Sequence, residues 1–388
     1  MSDFEKIITN WNYPTSIRFG AGRISELASV CKEFQIKKPL LITDPGIAKL
    51  PMVESVLQAT GKKGISTGIF FDIKPNPTGK NVEDGLKAYR ENGYDGVVAF
   101  GGGSALDVAK AIALVSGQKQ PLWDFEDIGD NWSKADPNGI APIIAVPTTA
   151  GTGSEVGRAS VIVQEETHLK KIIFHPKMLP TVVISDPALT LGLPNDLTAA
   201  TGMDALSHCL EAYCAPGYHP MADGIAVEGI RLITKWLPVA VRDGKNLEAR
   251  SHMLVAASMG ATAFQKGLGA MHSLAHPLGA IYDVHHGLLN AILMPYVLQF
   301  NRSAIEAKMT LLAAYLNLPK PSFEAIVKLI LNLRKEFNMA SNLSKLGIND
   351  SRVDEIAQKA VNDPTASTNP IPMKEKDMKQ VFLSALVG

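Results

Sequence analysis

The chain is poor in cysteine, and its cysteines carry no paired spacing. Cys31, Cys209 and Cys214 are the only three among 388 residues, and no two of them form a CxxC pair. An odd number of cysteines without such spacing argues against the disulfide framework of a small secreted protein.

Long apolar runs and an excess of one charge are also missing. No apolar stretch is long enough to span a bilayer, and the N-terminal segment MSDFEKIITNW is too polar and acidic for a signal peptide. Lysine plus arginine and aspartate plus glutamate both number 38, so the formal net charge is zero. Without a basic stripe or an acidic tail, neither nucleic acid nor a membrane is an expected partner. The composition predicts a soluble cytoplasmic protein.

The order of the apolar segments predicts two domains. The chain has 388 residues, 46% of them apolar, which is ample for two or three domains with sizeable cores. Up to about residue 190, buried strands alternate with helical stretches such as 81–91 and 105–115, which indicates a mostly parallel sheet covered by helices. The predicted strands are 38–43, 69–73, 96–100, 143–146 and 181–185.

From about residue 195 onward the sequence shows no convincing strand. Helices are predicted over 197–214, 220–242, 247–264, 288–300, 303–315, 322–338 and 374–386, separated by loops rich in proline, glycine and asparagine. The predicted fold class is therefore an α/β dinucleotide-binding domain, residues 1–190, followed by an all-α domain, residues 191–388.

Two loops rich in glycine and hydroxyl side chains follow predicted strands. One lies in GVVAFGGGSALDVAKAIA and the other in VPTTAGTGSEV. Backbone without Cβ atoms at a helix N-terminus offers N–H groups to a phosphate, and two such loops at the carboxyl edge of a parallel sheet suit a pyrophosphate. The alternative is that both are merely tight strand–helix turns. The candidate cofactor-binding residues are Gly102, Gly103, Ser104, Asp107, Thr148, Thr149 and Thr152.

The usual dinucleotide fingerprint is absent, because no GxGxxG follows the first strand. An acidic residue nevertheless ends that strand, namely Asp44 in LLITDPG. A carboxylate there could accept a hydrogen bond from a ribose hydroxyl and would repel a 2′-phosphate, which favours NAD over NADP. An aspartate before proline is also a common turn starter, so both roles stay open for Asp44.

Two segments place metal-ligand residues four positions apart. Asp204 and His208 do so in TGMDALSHCLEAY, and His272 and His276 in GAMHSLAHPLGAIYDVHHG. A four-residue step returns to the same face of an α-helix, so each pair can direct two donor groups at one point. A carboxylate and imidazoles without a thiolate suit iron or zinc.

His286 is a further candidate ligand, but it cannot share a straight helix with His272. The two are 14 residues apart in the sequence, which corresponds to about 21 Å along a helix. The chain must fold back between them, and Gly279 and Asp283 offer break points. His285 and His286 are adjacent and point in different directions, so only one is expected to face the ion. We interpret the remaining histidines as ordinary core or surface residues: His168, His175, His219 and His252.

Taken together, these motifs resemble the iron-containing (group III) alcohol dehydrogenase family, in the superfamily that also includes glycerol dehydrogenase and dehydroquinate synthase. The resemblance covers nearly the whole length and rests on GGGSALDVAKA, PTTAGTGSEV, DPALT, ATGMDALSHCLEAY and HSLAHPLGAIYDVHHG in this order. It implies an NAD domain followed by a helical metal domain. It also implies four metal ligands and a nearby proton-relay histidine: Asp204, His208, His272 and His286 as ligands, and His276 as the relay.

The resemblance implies further cofactor contacts and one departure. Asn76 in the PNPT loop and a lysine before IIFHP, Lys170 in preference to Lys171, would contact the cofactor. Many members of the family carry a Ser-Asn-rich stretch where this chain has AFQKG at 263–267. That segment is expected to border the substrate pocket, so the preferred alcohol stays open.

The implied reaction is reversible hydride transfer between a primary alcohol or aldehyde and NAD(H). A bound divalent metal would act as a Lewis acid on the substrate oxygen. Fe²⁺ is the expected metal, and Zn²⁺ is able to displace it. Three alternatives stay open: a zinc glycerol or polyol dehydrogenase, a lyase or cyclase of the dehydroquinate synthase type, and a sensor that binds NAD or metal without turnover. A homodimer or larger homo-oligomer is expected, in which the segment 16–19 could pair across subunits.

Overall fold

The computed structural model describes residues 9–11, 15–167 and 169–388. Residues 1–8, which belong to the segment compared with a signal peptide, lie outside the described residues. His168, interpreted above as an ordinary histidine, also lies outside them. The described chain forms two compact units: the first comprises residues up to Leu193 together with Lys245–Leu254, and the second comprises Pro194–Gly244 and Val255–Gly388. The division into functional domains at residue 190 stays a prediction, and no sequence pattern indicates that Lys245–Leu254 groups with the first unit.

The first unit contains a seven-stranded sheet with the order β1-β2-β9-β6-β5-β3-β4, and a separate antiparallel pair, β7-β8. Only β1 and β2 pair antiparallel within the large sheet, and the other five pairings are parallel. The mostly parallel sheet confirms the predicted α/β class. The strands are β1 Thr9–Trp11, β2 Ser16–Phe19, β3 Pro39–Ile42, β4 Gly68–Phe70, β5 Gly96–Gly101, β6 Ile143–Pro147, β7 Ala159–Gln164, β8 Leu169–Phe174 and β9 Val182–Ser185.

The proposed pairing of residues 16–19 across subunits is wrong. Strand β2 lies inside the sheet, with β1 on one side and β9 on the other. Its backbone groups face strands of the same chain on both sides, so β2 cannot pair with another copy. The sequence did not predict the antiparallel β7-β8 pair, because the pairing of one strand with another is not a local property of the sequence.

Twelve α-helices lie in the described residues. The first unit contributes α1 Leu27–Glu33, α2 Pro51–Lys62, α3 Gly79–Glu91 and α4 Gly103–Val115. The later chain contributes α5 Asn195–Cys214, α6 Pro220–Arg242, α7 Leu247–Ala263, α8 Ala270–Tyr282, α9 His286–Tyr315, α10 Phe323–Glu336, α11 Val353–Val361 and α12 Glu375–Val387.

The helical prediction for the second half is confirmed in kind but not in every boundary. The two helices predicted over 288–300 and 303–315 are one helix, α9, which continues past Pro295. The chain breaks at Asp283, which adopts a left-handed conformation with φ 52° directly after α8. This break lets His272 and His286 belong to different helices, as their spacing required, whereas Gly279 lies inside α8.

The core of the first unit lies between the sheet and its flanking helices. Leu41, Val98 and Ile144 on neighbouring strands pack with Val30 of α1 and Val56 of α2. Burial of one such aliphatic side chain stabilises the folded state by about 1.5–3 kcal/mol. Several buried side chains of this kind hold the strands and helices of the first unit together. Among the described helices, none combines the length and the apolar composition that a membrane span requires.

Candidate metal centre and cofactor loops

Helix α5 brings Asp204 and His208 to one buried face. The two residues are one turn apart, and their exposed fractions are 2% and 5%. Sixteen residues of this 20-residue helix are buried, so its sequence shows no simple amphipathic stripe. A Cβ atom added at Gly287 would lie 2.1 Å from the Ala200 carbonyl oxygen. Glycine is therefore needed for the N-terminus of α9 to approach α5 so closely.

Three predicted ligands from α5 and α8 converge. One donor atom each of Asp204, His208 and His272 lies within 4.8 Å of the others, and all three residues are buried. The His208 and His272 rings are stacked with their centroids 4.7 Å apart. His286 approaches from α9, with its Nε2 atom 3.7 Å from Asp204 Oδ1. A buried cluster of one carboxylate and imidazoles fits a divalent iron or zinc ion.

Glu211 orients His272 and was missed in the sequence. Its carboxylate lies 2.6 Å from His272 Nδ1 and also accepts hydrogen bonds from the backbone N–H groups of Gly269 and Met271. Burial would lower the pKa of His272, but the carboxylates of Glu211, Asp204 and Asp363 together hold that pKa above its ordinary value. Glu211 fixes the ring as metal-bound histidines are usually fixed, through the nitrogen that does not face the ion. Its position seven residues after Asp204 on one helix was the available signal.

His276 lies beside this cluster and has its own carboxylate partner. Its ring stacks on that of His286 at 5.3 Å, and its Nδ1 atom is 2.8 Å from Asp363 Oδ2. Burial would raise the pKa of Asp363, but His276 and two hydrogen bonds from Thr365 hold it below its ordinary value. Asp363 follows α11, 87 residues after His276, and no sequence signal links the two.

In the first unit, the two glycine-rich loops pack against each other. Strand β5 ends at Gly101, whose φ is 153°, and α4 begins at Gly103. A Cβ atom added at Gly102 would lie 3.2 Å from Thr149, and one at Gly103 would lie 2.4 Å from Thr152. At Gly103 a side chain would force Thr152 to move, and at Gly102 it would be a tight fit against Thr149, so the glycines let the two loops pack closely. The structure brings these predicted cofactor residues together at the carboxyl ends of β5 and β6.

Hydrogen bonds tie these loops to their surroundings. Ser104 Oγ donates to the Pro75 carbonyl at 2.5 Å, which links the glycine loop to the segment that carries Asn76. Thr148 is buried, and its Oγ1 atom has no hydrogen-bond partner among the described residues. A buried hydroxyl of this kind fits a ligand that brings its own polar atoms. The loop geometry and the Thr148 hydroxyl are compatible with a dinucleotide.

Asp107 faces the protein and not an open loop. Its carboxylate accepts hydrogen bonds from Ser154 Oγ at 2.5 Å and from Val161 N at 2.9 Å. The Lys110 ammonium is 3.4 Å from the same carboxylate, and burial lowers the pKa of this lysine. These contacts favour a role in holding the second loop over a direct cofactor contact.

Asp44 and the two candidate lysines, Lys170 and Lys171, all have neighbours within the first unit. Asp44 Oδ1 accepts from the backbone N–H groups of Gly46 and Ile47, so this oxygen starts a turn, as the alternative interpretation expected. Lys171 forms an ion pair with Glu126 at 2.7 Å. Lys170 lies opposite Val163 in the β7-β8 pair.

The histidines interpreted as ordinary residues have local partners where the structure describes them. His175 Nδ1 accepts from Lys177 N, and His219 Nδ1 accepts from Ala222 N at the start of α6. Burial raises the pKa of each of the cysteines to about 12, so their thiols stay protonated at neutral pH: Cys31, Cys209 and Cys214.

Comparison with known proteins gives one consistent result. The sequence profile of the iron-containing alcohol dehydrogenase family matches residues 14–187, and that of the C-terminal part of the Fe-containing alcohol dehydrogenase family matches residues 198–386. The 4-hydroxybutyrate dehydrogenase of Cupriavidus necator is 38% identical over 380 residues, covering 95% of this chain and 98% of that protein. The 1,3-propanediol dehydrogenase of Citrobacter freundii is 35% identical, covering 98% of both.

Solved structures agree with the sequence matches. The crystal structure of a 1,3-propanediol oxidoreductase superposes with a TM-score of 0.90 at 35% identity, over 98% of this chain and 99% of that one. The sulfoacetaldehyde reductase of Bifidobacterium kashiwanohense, solved in complex with NAD⁺, gives a TM-score of 0.87 at 29% identity with the same coverage. The chain therefore belongs to the iron-containing alcohol dehydrogenase family and is an oxidoreductase that acts on CH–OH groups.

Proposed function

We propose that the protein catalyses reversible hydride transfer between a small primary alcohol and NAD⁺, giving the aldehyde and NADH, with Fe²⁺ as the active metal. The single observation that carries the proposal is the convergence of Asp204, His208 and His272 in a buried cluster. Relatives named for 4-hydroxybutyrate, 1,3-propanediol and methanol support a primary alcohol as substrate, because each of these compounds carries its hydroxyl on a terminal carbon.

In this proposal Asp204, His208, His272 and His286 hold the metal. Bound there, the ion supplies Lewis-acid chemistry, which favours loss of the alcohol proton in one direction and polarises the aldehyde carbonyl in the other. Glu211 keeps the proton of His272 on Nδ1, so that Nε2 presents a lone pair to the site. The burial of Asp204, His208 and His272 keeps water from these side chains and strengthens their electrostatic interactions.

The oxidation releases one hydride and one proton, and His276 is proposed to take the proton. The Asp363 carboxylate accepts the Nδ1–H of His276, so Nε2 is the nitrogen at which a proton can be taken up and released. The two electrons leave with the hydride to the nicotinamide. In the first unit, Gly102, Gly103 and Thr149 belong to the loops proposed to bind the pyrophosphate of NAD.

The test is reconstitution of metal-free protein with Fe²⁺ or Zn²⁺, followed by a panel of alcohols and aldehydes with NAD and NADP. We expect Fe²⁺ to restore NADH production from primary alcohols, with NAD preferred. Full activity with Zn²⁺ and none with Fe²⁺ would refute iron as the active metal. A preference for polyols would select the glycerol dehydrogenase alternative, and binding without turnover would select the sensor.

Localisation and assembly are part of the proposal. We infer a cytoplasmic homo-oligomer of at least two copies, supported by the resemblance to the family and by the lack of paired cysteines. Light scattering at working concentration tests the assembly, and a mass equal to that of one chain would refute it.

A further inference from the structure

Asn81 is a buried amide for which the predicted cofactor site has no role. It is the third residue of α3, and its exposed fraction is 5%. Its amide nitrogen Nδ2 donates to the Asp72 carbonyl at 2.9 Å, and its Oδ1 atom accepts from the backbone N–H groups of Thr78 at 3.0 Å and Lys74 at 3.4 Å. One side chain thus binds both ends of the 72–78 loop, which joins β4 to α3, and one residue between them.

The orientation of this amide follows from its partners. A backbone carbonyl only accepts hydrogen bonds and a backbone N–H only donates one, so the amide nitrogen faces Asp72 and the amide oxygen faces Thr78. A flipped amide would set oxygen against oxygen and N–H against N–H. The three contacts therefore form one consistent set, and that set needs both the donor and the acceptor of the asparagine side chain.

The 72–78 loop depends on this side chain because its own backbone offers few donors. Pro75 and Pro77 have no backbone N–H. Each of them instead accepts a hydrogen bond from a neighbouring element: Pro75 from Ser104 Oγ at the start of α4, and Pro77 from the backbone N–H of Val163 in β7. The first of these bonds joins the loop to the glycine-rich segment at the carboxyl end of β5.

We propose that Asn81 is a positioning residue of the cofactor site, whose amide holds the 72–78 loop against the start of α4 so that this side of the site is formed before NAD binds. Without the amide, three backbone groups of the loop lose a partner, and the loop adopts other arrangements for part of the time. The apparent Kd for the cofactor then rises as the fraction of molecules with the binding-competent arrangement falls. The inference rests on the proposed function, in which Asn76 and Ser104 belong to the NAD site, and adds a residue behind that site.

The experiment compares NADH binding by the iron-loaded wild-type protein and by Asn81→Ala. A titration followed by NADH fluorescence gives the Kd, and we expect it to rise about 5–30-fold in the variant, as the loss of one or two net hydrogen bonds implies. Steady-state kinetics should show a higher KM for NAD, with kcat and iron content close to those of the wild type. Asn81→Asp, which keeps the acceptor and removes the donor, should give a smaller increase, and it replaces Asn81→Ala if that protein does not fold.

Gln118 provides the matched control in the same unit. It is also buried, and its amide donates to the Asp136 carbonyl and accepts from the Asp136 N–H, both at 2.8 Å. It follows the C-terminus of α4, whereas the glycine-rich loop precedes the N-terminus, and a helix of 13 residues is about 20 Å long. Gln118→Ala should therefore lower the melting temperature while leaving the Kd for NADH unchanged.

The outcomes separate this inference from the proposed function. A wild-type protein that binds no NADH, or a Kd that neither Gly103→Ala nor Asn81→Ala changes, overturns the proposed cofactor site itself. A Kd that rises in Gly103→Ala and not in Asn81→Ala overturns only the role of Asn81. An equal rise in Asn81→Ala and Gln118→Ala also overturns that role, since it indicates a general loosening of the first unit.

Discussion

The candidate cofactor site lies on loops at the carboxyl ends of β5 and β6, whereas the candidate metal centre lies on the helices of the second unit. In the loops, glycine residues without Cβ atoms allow the backbone to pack closely. The Asp107 side chain there forms a hydrogen bond within the protein, with Ser154. In the metal centre, side chains from α5, α8 and α9 converge, and the Glu211 carboxylate contacts Nδ1 of His272. The loop site therefore depends on close packing of backbone, whereas the helix site depends on the direction of its side chains.

Substitution of a predicted ligand should have the largest effect. His208→Ala removes one imidazole from the buried cluster, so we expect loss of bound iron. Metal catalysis contributes several kcal/mol, and about 1.4 kcal/mol corresponds to tenfold, so kcat/KM should fall by about a thousandfold or more. Metal analysis and steady-state kinetics measure both effects. His219→Ala, which removes a histidine at the start of α6, is the control and should keep its metal; unchanged turnover in His208→Ala would contradict the metal centre.

Substitution in the glycine loop should affect the other site alone. In Gly103→Ala the new Cβ atom would lie 2.4 Å from Thr152, so the two loops must separate. Overpacking of this kind costs about 1–3 kcal/mol, which predicts an increase of about 10–100-fold in the Kd for NAD with unchanged iron content. Gly61→Ala in α2 is the matched control, because nothing lies within 4 Å of its Cβ position. Equal NAD affinity in both variants would show that this loop does not bind the cofactor.

Asp107→Asn distinguishes a loop-holding residue from a cofactor contact. Asparagine keeps one acceptor where aspartate offers two, so Ser154 or Val161 loses its partner, at a cost of about 1–3 kcal/mol. We expect the melting temperature of the NAD-free protein to fall by a few degrees. A melting temperature equal to that of the wild type, together with weaker NAD binding, would instead support direct cofactor contact.

Asp44→Asn should give the smallest effect. The substitution preserves an oxygen for the Gly46 and Ile47 N–H groups but removes the charge that would repel a 2′-phosphate. We expect the ratio of kcat/KM for NAD to that for NADP to fall by about tenfold, or about 1.4 kcal/mol. An unchanged ratio would assign Asp44 to the turn alone.

The sequence predicted those parts of the fold and of the ligand set that depend on a pattern within a few residues. Strand-helix alternation predicted β3, β5 and β6, and the four-residue spacing of Asp204 and His208 predicted their common face. The hairpin β7-β8 escaped because a partner strand is not a local property. Residues 288–315 were divided into two helices, although α9 accommodates Pro295 and is continuous.

Partners distant in sequence could not be predicted at all. Asp363 meets His276 only because α11 and its following turn pack beside α8, and no spacing rule connects residues 87 positions apart. Glu211 and Asn290 had a local signal. Glu211 follows His208 by three residues on α5, and Asn290 follows His286 by four on α9, so each shares a helix face with a predicted ligand. Their chemistry gave no signal, because a buried glutamate or asparagine has many ordinary roles.

The chain by itself determined the α/β-then-helical order, the two glycine-rich loops and the residue types able to hold a divalent metal, since periodicity and spacing act over a few residues. Tertiary structure decided which of those residues face one another, because that depends on how helices pack. Thus Asp107 was turned toward Ser154, and Glu211, Asn290 and Asp363 were brought to the histidines. Buried polar groups require partners, and only the folded chain determines which partners are within reach.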